Sequence, residues 1–168
     1  ADARLHGVRL EPPDVNRGVA RFEPVADDLV RYGLAAIKGT GQGAIEAIVA
    51  AREGSGGEGG GPFRSLFDFC ARVDRQRVNK RVVEALIKAG AFDKLHPERS
   101  AMVASIGLAF DYADTQAANA DQGGLFDFAS DDEQSHAAST REPELVAAEP
   151  WSIKERLGFE KTALGFYL

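Results

Sequence analysis

The stretch Leu34-Ala35-Ala36-Ile37-Lys38-Gly39-Thr40-Gly41-Gln42-Gly43-Ala44-Ile45-Glu46-Ala47-Ile48 decides the fold. A short helical pattern spans Leu34 to Ile37 and is broken by Gly39-Thr40-Gly41. It resumes from Gly43 to Arg52, where Ile45, Ile48 and Val49 fall at i, i+3 and i+4 and make one apolar face. Two helices joined by a Gly-x-Gly turn form a hairpin. The turn needs glycine because its backbone takes positive φ and comes close to its ligand. The first amides of the second helix have no partners within that helix. They point outward at the positive end of its dipole, where a phosphate oxygen fits. The candidate contacts to a nucleic-acid backbone are therefore Lys38, Gly39, Thr40, Gly41, Gln42 and Gly43, with Arg52 adding sequence-independent charge.

Other glycine loops compete for these residues. Gly39-x-Gly41-x-x-Ala44 fits a loose dinucleotide fingerprint, which requires a preceding strand of β-branched residues and an acid about 20 residues on. Here the approach is Leu34-Ala35-Ala36-Ile37, and that distance falls in the glycine run from Gly54 to Gly61. No Gly-Lys-Ser/Thr closes a P-loop. A glycine-rich turn that binds nothing stays open as the plain alternative.

Outward from the hairpin, the glycine run reads as a flexible loop. Ser65 is placed to cap a helix over residues 66–73, with Asp68 three residues on as a capping acid. Asn79 caps the next helix, 80–89, and Gly90 stands at its C′ position. With a helix after Pro97, this makes a second, degenerate hairpin without Gly-x-Gly, whose role is packing. Met102, Ile106, Ala109, Phe110, Ala113 and Ala117 read as one long amphipathic helix from Glu98 to about Asn119. Upstream, Leu10 to Asn16 is irregular because of Pro12 and Pro13. Residues 19–25 and 29–34 read as a small β-ribbon turning at Ala26-Asp27-Asp28. Residues 130–149 are too polar to fold alone. The final segment ends on an unfinished aromatic strand, as if the chain were cut from something longer.

The fold class expected is mainly α: a tandem helix-hairpin-helix unit with a small N-terminal β-ribbon and a disordered acidic C-terminal linker. Lys and Arg number 12 against 8 acids in residues 31–99, whereas residues 100–168 carry 4 against 12. A basic middle fits a phosphate-contacting surface, although solvated helix faces give the same count. One cysteine, Cys70, excludes a disulfide framework, and three scattered histidines exclude a structural zinc site. No apolar run is long enough to span a membrane, so the expected setting is a reducing cytoplasm.

Three stretches now carry a resemblance: Arg31-Tyr32-Gly33-Leu34 through Gly41; Gly61-Pro62-Phe63-Arg64-Ser65-Leu66-Phe67-Asp68-Phe69; and Val78-Asn79-Lys80-Arg81 through Ala89-Gly90-Ala91-Phe92-Asp93. Together they resemble the helix-hairpin-helix region of the alpha-subunit family of bacterial DNA polymerase III, between the fingers and the oligonucleotide-binding domain. Thr40 and Ile45 depart from the usual motif, which carries an aliphatic residue and an alanine there. The resemblance implies DNA, a sliding clamp and other holoenzyme subunits as partners. It also implies magnesium-dependent nucleotidyl transfer for the whole enzyme, run by a carboxylate cluster that nothing here matches. Asp131-Asp132 reads as a solvated charge run, so the expected catalytic and metal residues of this segment are none. The implied divisions are 1–30, the end of the fingers; 31–119, the DNA-binding unit; 120–128, a clamp-binding peptide; 129–149, the linker; and 150–168, the start of a following domain.

Gln122-Gly123-Gly124-Leu125-Phe126 resembles the peptide by which bacterial polymerases grip the sliding clamp. Leu125 and Phe126 suit an apolar pocket and Gln122 its polar edge. The repeat Leu66-Phe67-Asp68-Phe69 lacks the glutamine and reads as core. Against a clamp-tethered replicative segment stand three other classes: a free-standing repair adaptor, a protein-interaction module, and an error-prone paralogue of the same polymerase family.

Overall fold

The computed structural model describes residues 9–54, 60–126 and 142–165, with backbone alone from 120 to 126. Three short strands come first: β1 (Arg9–Glu11), β2 (Glu23–Ala26) and β3 (Leu29–Arg31), in the order β1-β3-β2. The expected ribbon is present as β2 antiparallel to β3. Its turn is shorter than expected because Ala26 belongs to β2, opposite Leu29, beyond a bulge after Pro24. β1 is an addition, parallel to β3 with Arg9 opposite Leu29, and Pro12 follows its last residue. Arg31 fastens the sheet, its guanidinium reaching Glu11 at 3.0 Å and Glu23 at 3.1 Å.

A 3₁₀ turn (Leu34–Ala36) leads into six helices among the described residues: α1 (Gln42–Glu53), α2 (Leu66–Arg72), α3 (Lys80–Lys88), α4 (Arg99–Ala104), α5 (Ile106–Phe126) and α6 (Ile153–Leu164). The caps stand where the sequence places them. Ser65 Oγ accepts from the Asp68 amide at 3.0 Å, and Asn79 Oδ1 accepts from the Val82 amide at 3.0 Å. Such a cap contributes about 1 kcal/mol. Gly90 ends α3 at φ +91°. Asp68 answers the Arg64 amide, one residue ahead of the usual capping-box partner.

The core is built around Phe63, Phe69 and Phe92, which meet edge-on with centroids 4.8 Å apart at each contact. Ile45 and Ile48 of α1, with Val83, Leu86 and Ile87 of α3, close on them and are wholly or almost wholly buried. Leu66, Phe67 and Phe69 are core residues, as their helical setting predicted.

Three sequence expectations change. The single helix over 98–119 is two, because the chain bends at Ser105. That buried hydroxyl donates to the Ala101 carbonyl at 2.7 Å and accepts from the Val146 amide at 2.7 Å, a back-bond that competes with regular helix. The second piece, α5, continues beyond Asn119 to Phe126. Of the expected linker, residues 129–141 lie outside the described residues. Residues 142–149 form no helix or strand, yet Glu142 accepts from Ser65 at 2.8 Å and Leu145 packs on the core. Finally, α6 packs against α3 and buries Ala163 and Leu164 in the hairpin core. It is a wall of this unit.

Candidate nucleic-acid interface

The Gly-x-Gly turn is held from inside. Thr40 is 6% exposed, and its hydroxyl lies 2.7 Å from the Ile37 carbonyl and 3.2 Å from that of Leu34. A side chain that bonds the turn's own carbonyls explains threonine at a usually aliphatic position. Ile45 is fully buried, so the larger residue there fills core. Gly39 has φ +91°. Gly41 has φ +79° and ψ 152°, a region essentially closed to residues with a Cβ. The two glycines are conformational requirements.

Gly43 is different. It is helical, and a Cβ built on it meets nothing within 4 Å, so neither backbone strain nor packing requires glycine there. The space around Gly41 is equally open. Gly39, Gly41, Gln42, Gly43, Lys38 and Glu46 are exposed together around this end of α1.

The backbone amides divide into two groups. Lys38 donates its amide to the Ala163 carbonyl of α6 at 2.9 Å, and Thr40 donates weakly to Ile37 at 3.4 Å. The ladder of α1 starts with the Ile45 amide on the Gly41 carbonyl at 3.3 Å. Between them, the amides of Gly41, Gln42, Gly43 and Ala44 have no acceptor among the described residues. No acidic side chain stands in the first turn. An open helix N-terminus of this kind binds anions through its amides and dipole. The Lys38 side chain is exposed and, among the described residues, makes no ion pair.

Arg52 does not join this group. It sits at the far end of α1, about 15 Å along the axis, and its guanidinium donates to the carbonyls of Val15 at 3.1 Å and Gly18 at 2.7 Å. Its work is to hold the loop after β1. The sequence shows the charge of Arg52 and nothing of the two carbonyls that engage it.

The second hairpin turn is closed. Arg99 is 5% exposed and meets both carboxylate oxygens of Asp93, at 2.8 and 2.6 Å. A Cβ added at Gly90 would lie 2.6 Å from its guanidinium. Burial opposes the charge of Arg99, but the hydrogen bonds and charge of Asp93, with Glu160 beside it, outweigh burial and raise its pKa. Lys80 lies over the Phe110 ring, and Lys88 pairs with Glu84 at 2.7 Å over Phe159. Cys70 is buried inside, and burial pushes its thiol up to about 12 although Arg75 pulls the other way. Among the described residues, no group of three or more His, Cys, Asp or Glu is placed to hold a metal ion, and no helix is long and apolar enough to cross a membrane. The backbone of Gln122, Leu125 and Phe126 belongs to the last turns of α5; their side chains lie outside the described residues.

Comparison with known proteins agrees with this geometry. The family described as "Helix-hairpin-helix motif" matches residues 7–102. The chain is 47% identical over 167 residues to the DNA polymerase III subunit alpha of Neisseria meningitidis serogroup B, a match covering 99% of this chain and 14% of the relative. It is 42% identical to the Escherichia coli subunit of the same name, covering 96% and 13%, and 42% identical to that of Caulobacter vibrioides, covering 99% and 14%. The chain thus spans about one seventh of the length of the relatives it matches.

Proposed function

The chain belongs to the helix-hairpin-helix family, and from that premise we propose that it is the DNA-holding segment of a bacterial replicative polymerase. Lys38 to Gly43 take a phosphate of the DNA backbone without reading bases: the open amides supply hydrogen bonds and Lys38 supplies charge. The observation that carries this reading is the run of amides from Gly41 to Ala44, unanswered within the described residues at an open helix end whose first turn carries no acid. In this reading the segment works inside a cytoplasmic replication complex with the other polymerase III subunits. Gln122, Leu125 and Phe126 tether it to the sliding clamp. Magnesium belongs to the nucleotidyl transfer of the whole polymerase. Among the described residues, no group of three or more His, Cys, Asp or Glu is placed to hold it.

Affinity of the 168-residue chain for a short labelled duplex of mixed sequence, measured against salt, tests this. The expected result is a linear fall of log affinity with log salt, weakened evenly across sequences by Lys38→Ala and more severely by Gly41→Val, whose Cβ is excluded by the backbone. Absence of salt-dependent binding, or two folded variants that bind as the parent does, refutes the assignment.

A further inference from the structure

Beside the turn lies a cleft of about 410 Å³, bounded by Lys38 and Gly39 of the hairpin, Arg81 and Ala85 of α3, and Phe159 and Thr162 of α6. We infer that Lys38 and Arg81 hold a second phosphate of the DNA backbone in this cleft, extending the contact made at α1. The inference rests on the DNA-holding reading above and adds Arg81 and the cleft to it.

Charge disposition carries the argument. Most cations near the core are already engaged: Arg31 with Glu11 and Glu23, Arg52 with carbonyls, Arg72 with Asp68, Arg75 with Asp114, and Arg99 with Asp93. Within the cleft, Lys88 is neutralised by Glu84. That leaves Lys38 and Arg81, both exposed and neither with an ion pair or side-chain hydrogen bond among the described residues. Two unanswered positive charges therefore line one concave surface.

Helix electrostatics point the same way. Arg81 follows Lys80 in the first turn of α3, which contains no acidic residue. Cations at the positive end of a helix dipole are unfavourable there, and an anion between Arg81 and the turn relieves the conflict. Lys80 is turned toward Phe110, so Arg81 is the cation available to the cleft. The placement is compact: a Cβ on Gly39 would lie 3.7 Å from that of Ala85, and Arg81 stands one helical turn before Ala85, about 6 Å along the axis.

The test is the salt titration on the same duplex with Arg81→Gln, Lys38→Gln, the double variant, Arg81→Lys, and Arg64→Gln as an exposed cation outside the cleft. Each single removal in the cleft should reduce the salt slope by about 0.9 and weaken binding about eightfold at 0.1 M salt, and the double variant should lose about twice that slope. Arg81→Lys should restore the slope, and Arg64→Gln should leave it unchanged. If Arg81→Gln keeps the parent slope while Lys38→Gln lowers it, the cleft subsite is refuted and the hairpin reading stands. If Arg64→Gln lowers the slope as much as Arg81→Gln, bulk charge explains the effect and the subsite is again refuted. A parent chain without salt-dependent binding overturns both readings.

Discussion

Gly43→Ala separates folding from DNA contact at a single methyl group. In the structure Gly43 is the second residue of α1, with ordinary helical φ and no atom within 4 Å of an added Cβ. Alanine there removes freedom from the unfolded chain and adds helix propensity, effects of about 0.5–1 kcal/mol in favour of the fold. For a chain of this size that is a rise of about 1–4 °C in melting temperature. The same methyl harms the proposed contact. A helical Cα–Cβ bond tilts toward the helix N-terminus, so the carbon leans over the open amides of Gly41 and Gln42. A phosphate oxygen approaching an amide nitrogen to about 2.9 Å then meets the methyl. Losing one charge-assisted hydrogen bond costs about 1.5–3 kcal/mol, a drop of about tenfold or more in affinity. Because no charge is removed, the salt slope should be unchanged. Thermal melting and anisotropy on one preparation read both effects. A variant that melts higher and binds DNA like the parent shows that no phosphate approaches this end of α1. A variant that melts several degrees lower shows that the space is not open.

Three further outcomes follow from the same geometry. Arg52→Gln should lower stability by about 2 kcal/mol through loss of its bonds to Val15 and Gly18 and leave the salt slope of DNA binding intact; a reduced slope with unchanged melting would return Arg52 to the interface. The Cys70 thiol is held protonated up to about pH 12, against 9.0 for an unperturbed cysteine, so raising pH through that window favours the unfolded chain and stability should decline from about pH 9 upward. The decline in urea midpoint should be smaller in Cys70→Ala, and an equal decline assigns it to other groups. Leu125→Ala with Phe126→Ala should abolish retention by a sliding clamp while leaving DNA affinity and melting nearly unchanged; retained clamp binding removes the peptide from the tether, and a melt lowered by many degrees makes the pair core residues.

What could be read from the sequence was local. The caps at Ser65 and Asn79 and the positive-φ glycine at Gly90 depend on residues within a turn of each other, and the structure has them in place. The start of α1 falls within a residue of its expected position for the same reason. Apart from the end of α5 and the ribbon turn, what the sequence did not show is long-range. The break at Ser105 is tied to the Val146 amide, 41 residues on. β1 exists because β3, some 20 residues later, offers it an edge. Arg52 carries a charge in the right helix for a phosphate contact, but its partners lie 34 and 37 residues upstream. Periodicity gives α6 its apolar residues without saying that its last turn receives the Lys38 amide and the Tyr32 hydroxyl.

The two helical hairpins divide their labour by how each turn is filled. Both reverse the chain through a glycine at φ +91°, Gly39 in the first and Gly90 in the second. At Gly90 the approach is occupied by the Arg99 guanidinium, locked by Asp93 with Glu160 of α6 at 3.9 Å. That turn carries its own cation and anion, and its electrostatics are satisfied within the chain. At Gly39 the neighbour is only the Ala85 methyl, the following amides are unanswered among the described residues, and the nearby Lys38 and Arg81 lack counter-charges there. One hairpin cannot bury its own apolar face, so the second supplies the packing surface through Leu86, Ile87 and Phe92. The charges at its own turn are paired internally, and Arg81 of α3 is the cation it leaves facing the open turn. α6 then braces the open turn from behind through the Ala163 carbonyl, which accepts the Lys38 amide, while the first amides of α1 keep no acceptor among the described residues and stay open to the phosphate proposed for them.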